Sequence, residues 1–152
     1  MNSKTKIIIL AAGKGTRMMT EHPKVLAKVK EKSMIGHLLE SVHQSNIDEK
    51  PTIIVGYKKE LVIAELGEKY HYINQENQLG TGHAVNLAKD YLEDKADHVM
   101  VLYGDQPFIK VQTLKNINEL HLKSGKKITM ATVKLPDFKD WRINFVNFSR
   151  II

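Results

Sequence analysis

A short apolar run, followed at once by small residues and cations, is the feature that most constrains the fold of this chain. The run Ile7–Leu10 is typical of a buried strand, and it stops at the segment Ala11–Gly15. Because glycine and alanine have little or no side chain, a ligand can lie against this backbone, and the N–H groups of such a loop can bind phosphate oxygens. Lys14, Arg17 and Lys24 are expected to bring three cations to the same neighbourhood. The segment therefore predicts a binding site for a polyphosphate.

The composition is ordinary for a globular protein. Of 152 residues, 42% are hydrophobic and 26% are charged, which is enough for one domain with a core. No apolar run approaches the length needed to span a bilayer, and the absence of cysteine excludes disulfides and thiolate chemistry. We expect residues 1–152 to form a single domain with no membrane partner and a cytoplasmic location.

The basic residues are dispersed along the chain and do not form one run. The formal net charge is +6, from 23 Lys and Arg against 17 Asp and Glu. Lys28, Lys30 and Lys32 alternate with other residues, and the pair Lys58-Lys59 is isolated, as is typical of solvated surfaces. We expect no nucleic-acid partner, because a small polyanionic substrate accounts for part of the excess charge.

Candidate strands alternate with candidate helices. Apolar runs predict strands at Lys6–Ala11, Thr52–Val55, His71–Asn74, His98–Leu102 and Ile128–Val133. Amphipathic stripes predict helices at Met34–Gln44, Lys59–Leu66, Gly82–Leu92 and Val111–His121. This alternation predicts an α/β fold, a three-layer, doubly wound, mostly parallel sheet with helices on both faces. Ligands of such sheets bind beyond the carboxyl ends of the strands.

Two glycines flank a threonine where the third predicted helix starts. In Gly80-Thr81-Gly82, a backbone amide and the threonine hydroxyl, with a nearby glutamine amide, can read a planar base by its donors and acceptors. Alternatively, Thr81 only caps the helix that begins at Gly82, because threonine is common at helix N-caps. The local sequence leaves both interpretations open.

A single carboxylate follows the fourth predicted strand. Asp105 lies between Gly104 and a turn stiffened by Pro107. This context suits Mg²⁺, which takes one or two carboxylates and fills its other positions with phosphate and water. The alternative is a turn in which Asp105 hydrogen-bonds its own backbone. Three histidines have neither metal-ligand spacing nor the partners of a catalytic triad, and we interpret them as structural or surface residues: His22, His37 and His83.

Four segments together resemble the sugar-phosphate nucleotidyltransferases. The likeness is greatest to the uridyltransferase (pyrophosphorylase) domain of the bifunctional N-acetylglucosamine-1-phosphate uridyltransferases. The matching segments are Ile9–Met18, Pro23–Leu26, Gln78–Ala84 and Leu102–Asp105. One glycine-rich loop alone would be a weak signal, but four segments in the family's order imply its Rossmann-like fold and a nucleotide site.

The resemblance implies a role for each matching position. Arg17 and Lys24 would neutralise the triphosphate and the charge that develops during catalysis, Asp105 would hold Mg²⁺, and Gln75 would contact the uracil edge. The implied reaction joins a nucleoside triphosphate, UTP being favoured, to a sugar-1-phosphate such as N-acetylglucosamine-1-phosphate and releases pyrophosphate. The implied nucleotide-binding residues are Leu10, Ala11, Ala12, Gly13, Lys14, Gly15, Gln75, Gly80, Thr81, Tyr103 and Gly104.

The chain is shorter than the catalytic domains of the family. We therefore expect the fold to be incomplete, without most of the sugar-binding part and without a second metal ligand. One interpretation is a nucleotidyltransferase, or its N-terminal part, with an intact nucleotide half. The other is a nucleotide-binding remnant or subunit without catalysis, completed by another chain or by self-association at an open sheet edge.

Overall fold

The computed structural model describes residues 4–15 and 22–145. Within these two ranges, no helix is long and apolar enough to cross a membrane. The strands are β1 (Thr5–Leu10), β2 (Lys28–Val29), β3 (Lys32–Ser33), β4 (Thr52–Val55), β5 (His71–Asn74) and β6 (His98–Tyr103). The α-helices are α1 (Met34–Ser45), α2 (Lys59–Leu66), α3 (Thr81–Asn86), α4 (Lys89–Leu92) and α5 (Val111–Ser124), and 3-10 helices lie at Lys24–Leu26 and Asp140–Phe145.

The four longer strands form one parallel sheet in the order β5-β4-β1-β6. The chain builds outward from β1 through β4 to β5 and then adds β6 on the opposite side of β1, so the winding reverses between β1 and β6. At this reversal, Leu10 pairs with Tyr103 where both strands end. The predicted doubly wound α/β fold is confirmed, and ligands of such sheets bind at the reversal point.

Alternation along β1 builds a core on each face of the sheet. Ile7 and Ile9 belong to one apolar cluster and Ile8 belongs to the other. Burial of each such side chain contributes about 1.5–3 kcal/mol, so the two clusters hold the helices to the sheet. On the first face the helices contribute Ile35, Leu38, Leu39, Val42, Val62 and Leu114. On the second face α3 contributes Ala84, α4 contributes Leu92, and Ala88 lies between these two helices.

Most of the predicted elements are present, with small shifts at their ends. β4, β5 and α2 have the predicted bounds, whereas α1 and α5 each extend further toward the C-terminus. The helix ends have local causes. The hydroxyl of Ser33 accepts a hydrogen bond from the N–H of Gly36 at 3.3 Å and so caps α1, and Gly125, with φ of 60°, ends α5.

The predicted helix Gly82–Leu92 is two helices. α3 ends at Asn86 and α4 begins at Lys89. Between them, the N–H of Ala88 donates to the carbonyl of Val85, three residues back, at 3.0 Å. A bond over three residues tightens the turn, and the regular helix resumes only afterwards. The stripe of small and apolar residues is the same for one long helix as for two short ones. The stripe therefore predicts the buried face but does not reveal the break.

The predicted strand Ile128–Val133 is wrong. This segment has no regular secondary structure, and Ile128 is 81% exposed and Val133 is 78% exposed. A strand needs a neighbour that accepts and donates its backbone hydrogen bonds. Within the described residues, this segment pairs with no strand of either sheet. Its alternation of apolar residues is therefore not sufficient to form a strand here.

A short hairpin was not predicted from the sequence. β2 and β3 are antiparallel, with Val29 paired to Lys32, and Lys30 in the turn has φ of 57°. Strands of two residues give too little alternation to be recognised. The dispersed lysines of this region therefore lie on or beside a hairpin that leads into α1.

Asp48 joins the start of β1 to the chain that follows α1. Its Oδ1 lies 2.6 Å from Nζ of Lys6, its Oδ2 accepts from the N–H of Ile7 at 2.9 Å, and its side chain is 1% exposed. The N–H of Lys50 also donates to Oδ1, at 3.2 Å. Removal of the carboxylate therefore leaves three donors without this partner, and we expect Asp48→Ala to lower the free energy of unfolding by about 2–3 kcal/mol. Urea unfolding measures this change.

Asp97 provides the control for that measurement. Its carboxylate also accepts a backbone N–H near the start of β1, from Lys4 at 2.7 Å, but this bond is exposed to solvent. We expect Asp97→Ala to lower the free energy of unfolding by less than about 1 kcal/mol. Equal effects of the two substitutions would show that the buried carboxylate has no special role.

Candidate active site

Gly104 brings the loop after β6 against the end of β1. Its N–H donates to the carbonyl of Leu10 at 2.9 Å. A Cβ at this position would lie 3.1 Å from that carbonyl oxygen and 3.0 Å from Cγ1 of Val25. A larger residue would therefore push away the segment that carries Lys24. Glycine at this position permits the close packing that holds Lys24 beside Asp105.

Lys24 and Asp105 form an ion pair at the reversal point of the sheet. Nζ lies 2.8 Å from Oδ2, although 81 residues separate the two positions in sequence. The side chains are 39% and 34% exposed, so a ligand can reach both charges. Among the described residues, the carboxylate accepts from Lys24 and not from its own backbone, so the alternative of a self-bonded turn does not hold.

The carbonyl of Ala12 joins the loops that follow β1, β4 and β5. It accepts from the N–H of Tyr57 at 3.2 Å and from Nε2 of Gln78 at 2.8 Å. Gly56 makes this junction possible, since a Cβ there would lie 3.0 Å from the carbonyl oxygens of both Ala12 and Gln75. The loop after β1 is therefore held by the loops after β4 and β5, which lie on one side of β1 in the strand order.

Gln75 is buried directly after β5, and its amide group is held in one orientation. The whole residue is only 5% exposed to solvent. Nε2 lies 3.1 Å from the carbonyl oxygen of Gly80 and 3.0 Å from Nδ1 of His83. A buried amide whose two hydrogens both have acceptors does not rotate freely, because rotation would leave polar atoms without partners.

Thr81 is not the cap of the following helix. It is the first residue of α3, and the N-cap position belongs to Gly80, which has φ of 100°. The capping interpretation is therefore wrong. A Cβ added at Gly13, Gly80 or Gly82 would meet no atom of the described chain within 4 Å, so there is open space beside all three glycines.

The other predicted nucleotide-binding residues that the structure describes differ in their exposure to solvent. Ala11 is 1% exposed and belongs to the core, so only its backbone faces the loop. Leu10 is half-buried, whereas Tyr103 is 43% exposed at the end of β6. Gly15 has φ of 66°, and a Cβ there would lie 2.7 Å from Cβ of Lys24. The end of the loop after β1 therefore packs on the segment that carries Lys24.

The structure describes two of the three predicted cations, Lys14 and Lys24. Nζ of Lys14 lies 5.4 Å from the centre of the Tyr57 ring, whereas Lys24 contacts Asp105. Arg17 lies outside the described residues. The grouping of the three cations around a polyphosphate therefore stays a prediction.

Asp105 is the side chain that fits a metal ion. The described residues contain no group of three or more His, Cys, Asp or Glu that could hold a metal by themselves. Asp105 nevertheless already binds a cation, the ammonium of Lys24, at the carboxyl edge of the sheet. One carboxylate with phosphate and water is a donor set that suits Mg²⁺. The residues present therefore fit an ion held jointly with a bound phosphate.

Sequence reasoning missed three residues that shape this site. Gly56 lies between two loops, Gln78 donates to Ala12, and His83 contacts Gln75. A glycine directly after a buried strand is a signal of close backbone approach, so Gly56 could have been found. His83 had no such signal, because its partner lies across a loop whose path the sequence does not give.

The chain is similar to known proteins in both sequence and structure. A sequence family described as the MobA-like NTP transferase domain matches residues 7–136. The chain belongs to this family. The bifunctional protein GlmU of Clostridioides difficile is 42% identical over 130 residues, as is that of Streptococcus pyogenes serotype M3. Each match covers 86% of this chain but only 28% of the relative, so the chain spans about a quarter of the length of these curated NTP transferase relatives.

Solved structures share the fold of this NTP transferase domain. Rv0371c from Mycobacterium tuberculosis superposes with a TM-score of 0.68 at 21% identity, over 79% of this chain and 61% of that one. A second structure of Rv0371c, in complex with manganese, has a TM-score of 0.64 at 21% identity and covers 78% of this chain and 59% of that one. A nucleotidyl transferase from Methanothermobacter has a TM-score of 0.64 at 20% identity, over 78% and 58%.

Proposed function

We propose that this chain is the nucleotide-binding part of a nucleotidyltransferase. It binds a nucleoside triphosphate, UTP in preference, and transfers UMP to a sugar-1-phosphate such as N-acetylglucosamine-1-phosphate, releasing pyrophosphate. The observation that supports this most is the accessible pair of Lys24 and Asp105, 2.8 Å apart at the reversal point of the sheet. The identity of 42% to GlmU proteins supports the choice of nucleotide and acceptor.

The proposed chemistry needs no covalent intermediate. An oxygen of the sugar phosphate attacks the α-phosphorus in line as pyrophosphate leaves. The attacking phosphate is already ionised, so no general base is required. The protein's task is to align two polyanions that repel each other and to stabilise charge in the transition state. Lys24 would do so as a mobile cation, and Arg17 as a group that grips two phosphate oxygens.

A divalent ion is part of this proposal. Mg²⁺ bound by Asp105 and the triphosphate would neutralise negative charge on the phosphates. In the absence of ligand, Asp105 lies just after the end of β6 and its carboxylate is paired with the ammonium group of Lys24. This pair would persist until a phosphate binds. Lys24 would then turn from the carboxylate to a phosphate oxygen. The proposed nucleotide-binding residues are the backbone and side chains identified from the sequence, with Gln75 and Gly80-Thr81 at the base.

The specific alternative is a nucleotide-binding remnant or subunit without catalysis. It stands beside the first proposal because the match covers 28% of the length of the GlmU relatives. Residues 1–152 would then be a single nucleotide-binding domain that lacks most of the sugar site. β6 lies at an edge of the described sheet, with Val99 45% exposed, so self-association remains a prediction of this alternative. A cytoplasmic location and the absence of a nucleic-acid partner also remain predictions.

A thermal-shift titration with UTP, CTP, dTTP and ATP, each with and without Mg²⁺, tests the nucleotide half. We expect UTP with Mg²⁺ to raise the melting temperature by about 5–10 °C at a concentration near 100 times its dissociation constant, because a ligand that binds only the folded state stabilises it. ATP is expected to give a smaller shift. No shift with any nucleotide would contradict the proposal.

The acceptor half needs a separate assay. Pyrophosphate release is measured with UTP, Mg²⁺ and N-acetylglucosamine-1-phosphate, with glucose-1-phosphate as the comparison. Release that depends on the sugar phosphate would support the transferase. A UTP-selective thermal shift without any release would instead support the nucleotide-binding remnant.

A further inference from the structure

We infer that His83 is a positioning residue that makes Gln75 present its carbonyl oxygen, and not its NH₂ group, to the nucleobase. This selects bases with a ring N–H donor, uracil or thymine, against cytosine. The inference rests on the proposed function and adds a residue and a mechanism of base selection to it.

The orientation of the Gln75 amide follows from its neighbours. The carbonyl oxygen of Gly80 can only accept a hydrogen bond, so the Gln75 atom that lies 3.1 Å from it must be the donor, Nε2. The reversed amide would place two acceptors against each other. The same nitrogen lies 3.0 Å from Nδ1 of His83, which must then accept the second hydrogen.

That contact fixes the state of the histidine. Nδ1 can accept only when it carries no proton, so this contact requires the His83 tautomer whose proton lies on Nε2. Both hydrogens of the Gln75 amide are then used within the protein. The remaining polar atom, Oε1, is an acceptor, and no described residue donates to it in the structure.

An acceptor in a fixed place distinguishes the pyrimidines. Uracil and thymine have an N–H at ring position N3, whereas cytosine has a lone pair there. Gln75 lies directly after β5 and contacts Gly80, and the space beside Gly80 is open. A base in that space can donate N3–H to Oε1. Cytosine would place the lone pair of N3 against Oε1, so two acceptors would face each other. Rotation of the Gln75 amide would relieve this repulsion but would break the bonds to both Gly80 and His83.

The key substitution is His83→Phe, with His83→Asn as the conservative comparison. Phenylalanine keeps a ring but removes the acceptor, so we expect the ratio of UTP to CTP affinity, measured by calorimetry with Mg²⁺, to fall on the order of tenfold. Asparagine can place Oδ1 near the position of Nδ1 and should retain most of the ratio. An unchanged ratio in His83→Phe would overturn the inference while leaving UTP binding, and hence the proposed function, in place.

A double substitution separates positioning from direct contact. If His83 acts through Gln75, His83→Phe should leave the UTP to CTP ratio unchanged in a Gln75→Leu background, because the two effects are then fully coupled. A further fall in the double variant would show that His83 acts on the base by another route and would overturn the positioning role. An unmodified chain that binds UTP and CTP equally would overturn base selection, and one that binds neither would overturn the proposed function as well.

The tautomer can be tested without any nucleotide. Nitrogen-15 NMR of the free protein distinguishes a protonated Nε2 from a protonated Nδ1, and we expect the Nε2–H form for His83. We also expect slow exchange of the Gln75 side-chain amide hydrogens, which His83→Phe should accelerate. A predominant Nδ1–H form would overturn the inference even if the variants fail to fold.

Discussion

Asp105→Asn should abolish the enhancement of UTP binding by Mg²⁺ without abolishing UTP binding. In the unmodified protein we expect Mg²⁺ to tighten UTP binding by about 100-fold, and in the variant by less than about threefold, because the ion loses its protein ligand. Asparagine has nearly the same shape but no charge, so the packing of Gly104 against Leu10 should remain. Calorimetric titration with UTP, with and without Mg²⁺, gives both numbers.

The same substitution should have the opposite effect when no metal is present. Loss of the carboxylate removes its repulsion of the triphosphate and frees Lys24, which it holds at 2.8 Å. Metal-free UTP should therefore bind Asp105→Asn at least as tightly as it binds the unmodified chain. Asp90, an exposed residue of α4, provides the control, and Asp90→Asn should change neither value. Full Mg²⁺ enhancement in Asp105→Asn would exclude Asp105 as the metal ligand.

Lys24→Met should weaken binding of UTP with Mg²⁺ by about 10- to 100-fold, the range expected for loss of a charge-assisted hydrogen bond to phosphate. Methionine has nearly the same length and keeps the packing of the lysine stem. Binding of the metal alone should change in the other direction. Because Lys24 competes for the Asp105 carboxylate, its removal should tighten binding of Mn²⁺ in the absence of nucleotide, as measured by electron paramagnetic resonance.

Lys32 offers a matched control for Lys24. It also forms an ion pair, with Glu40 at 2.6 Å, and the two side chains are 46% and 51% exposed. It is thus an accessible lysine–carboxylate pair in another part of the molecule, and the hydrogen bond from Lys32 lowers the pKa of the Glu40 carboxyl. Lys32→Met should leave both UTP and Mn²⁺ binding unchanged. Weaker Mn²⁺ binding in Lys24→Met would contradict competition between the lysine and the metal.

The sequence predicted the fold well where local pattern decides it. Each strand of the large sheet is a short apolar run, and the stripe of α1 is visible as Ile35, Leu38, Leu39 and Val42. The run Ile128–Val133 has the same appearance but forms no strand among the described residues. Its failure has a simple cause, because a strand is completed by hydrogen bonds to a neighbour, and a neighbour is not a property of the segment.

The candidate site was predicted in part. The described residues that follow β1, β5 and β6 lie at one edge of the sheet, because the carboxyl ends of parallel strands share one edge. The role of Thr81 as a cap was ruled out only by the structure, which places Gly80 at that position. His83 appeared to be a structural or surface residue in the sequence, yet its ring lies 3.0 Å from the buried amide of Gln75.

The sequence by itself determined most strands and helices of the large sheet and its layers, their alternation and the membership of the chain in a family of NTP transferases, because these depend on local periodicity and on motifs of adjacent residues. Only the tertiary structure decided the strand order, the pairing of Lys24 with Asp105 and the fixed orientation of Gln75. Each of these is a contact between parts of the chain that folding brings together. Their energies depend on distances and on the directions of donors and acceptors, and a linear order of residues contains neither.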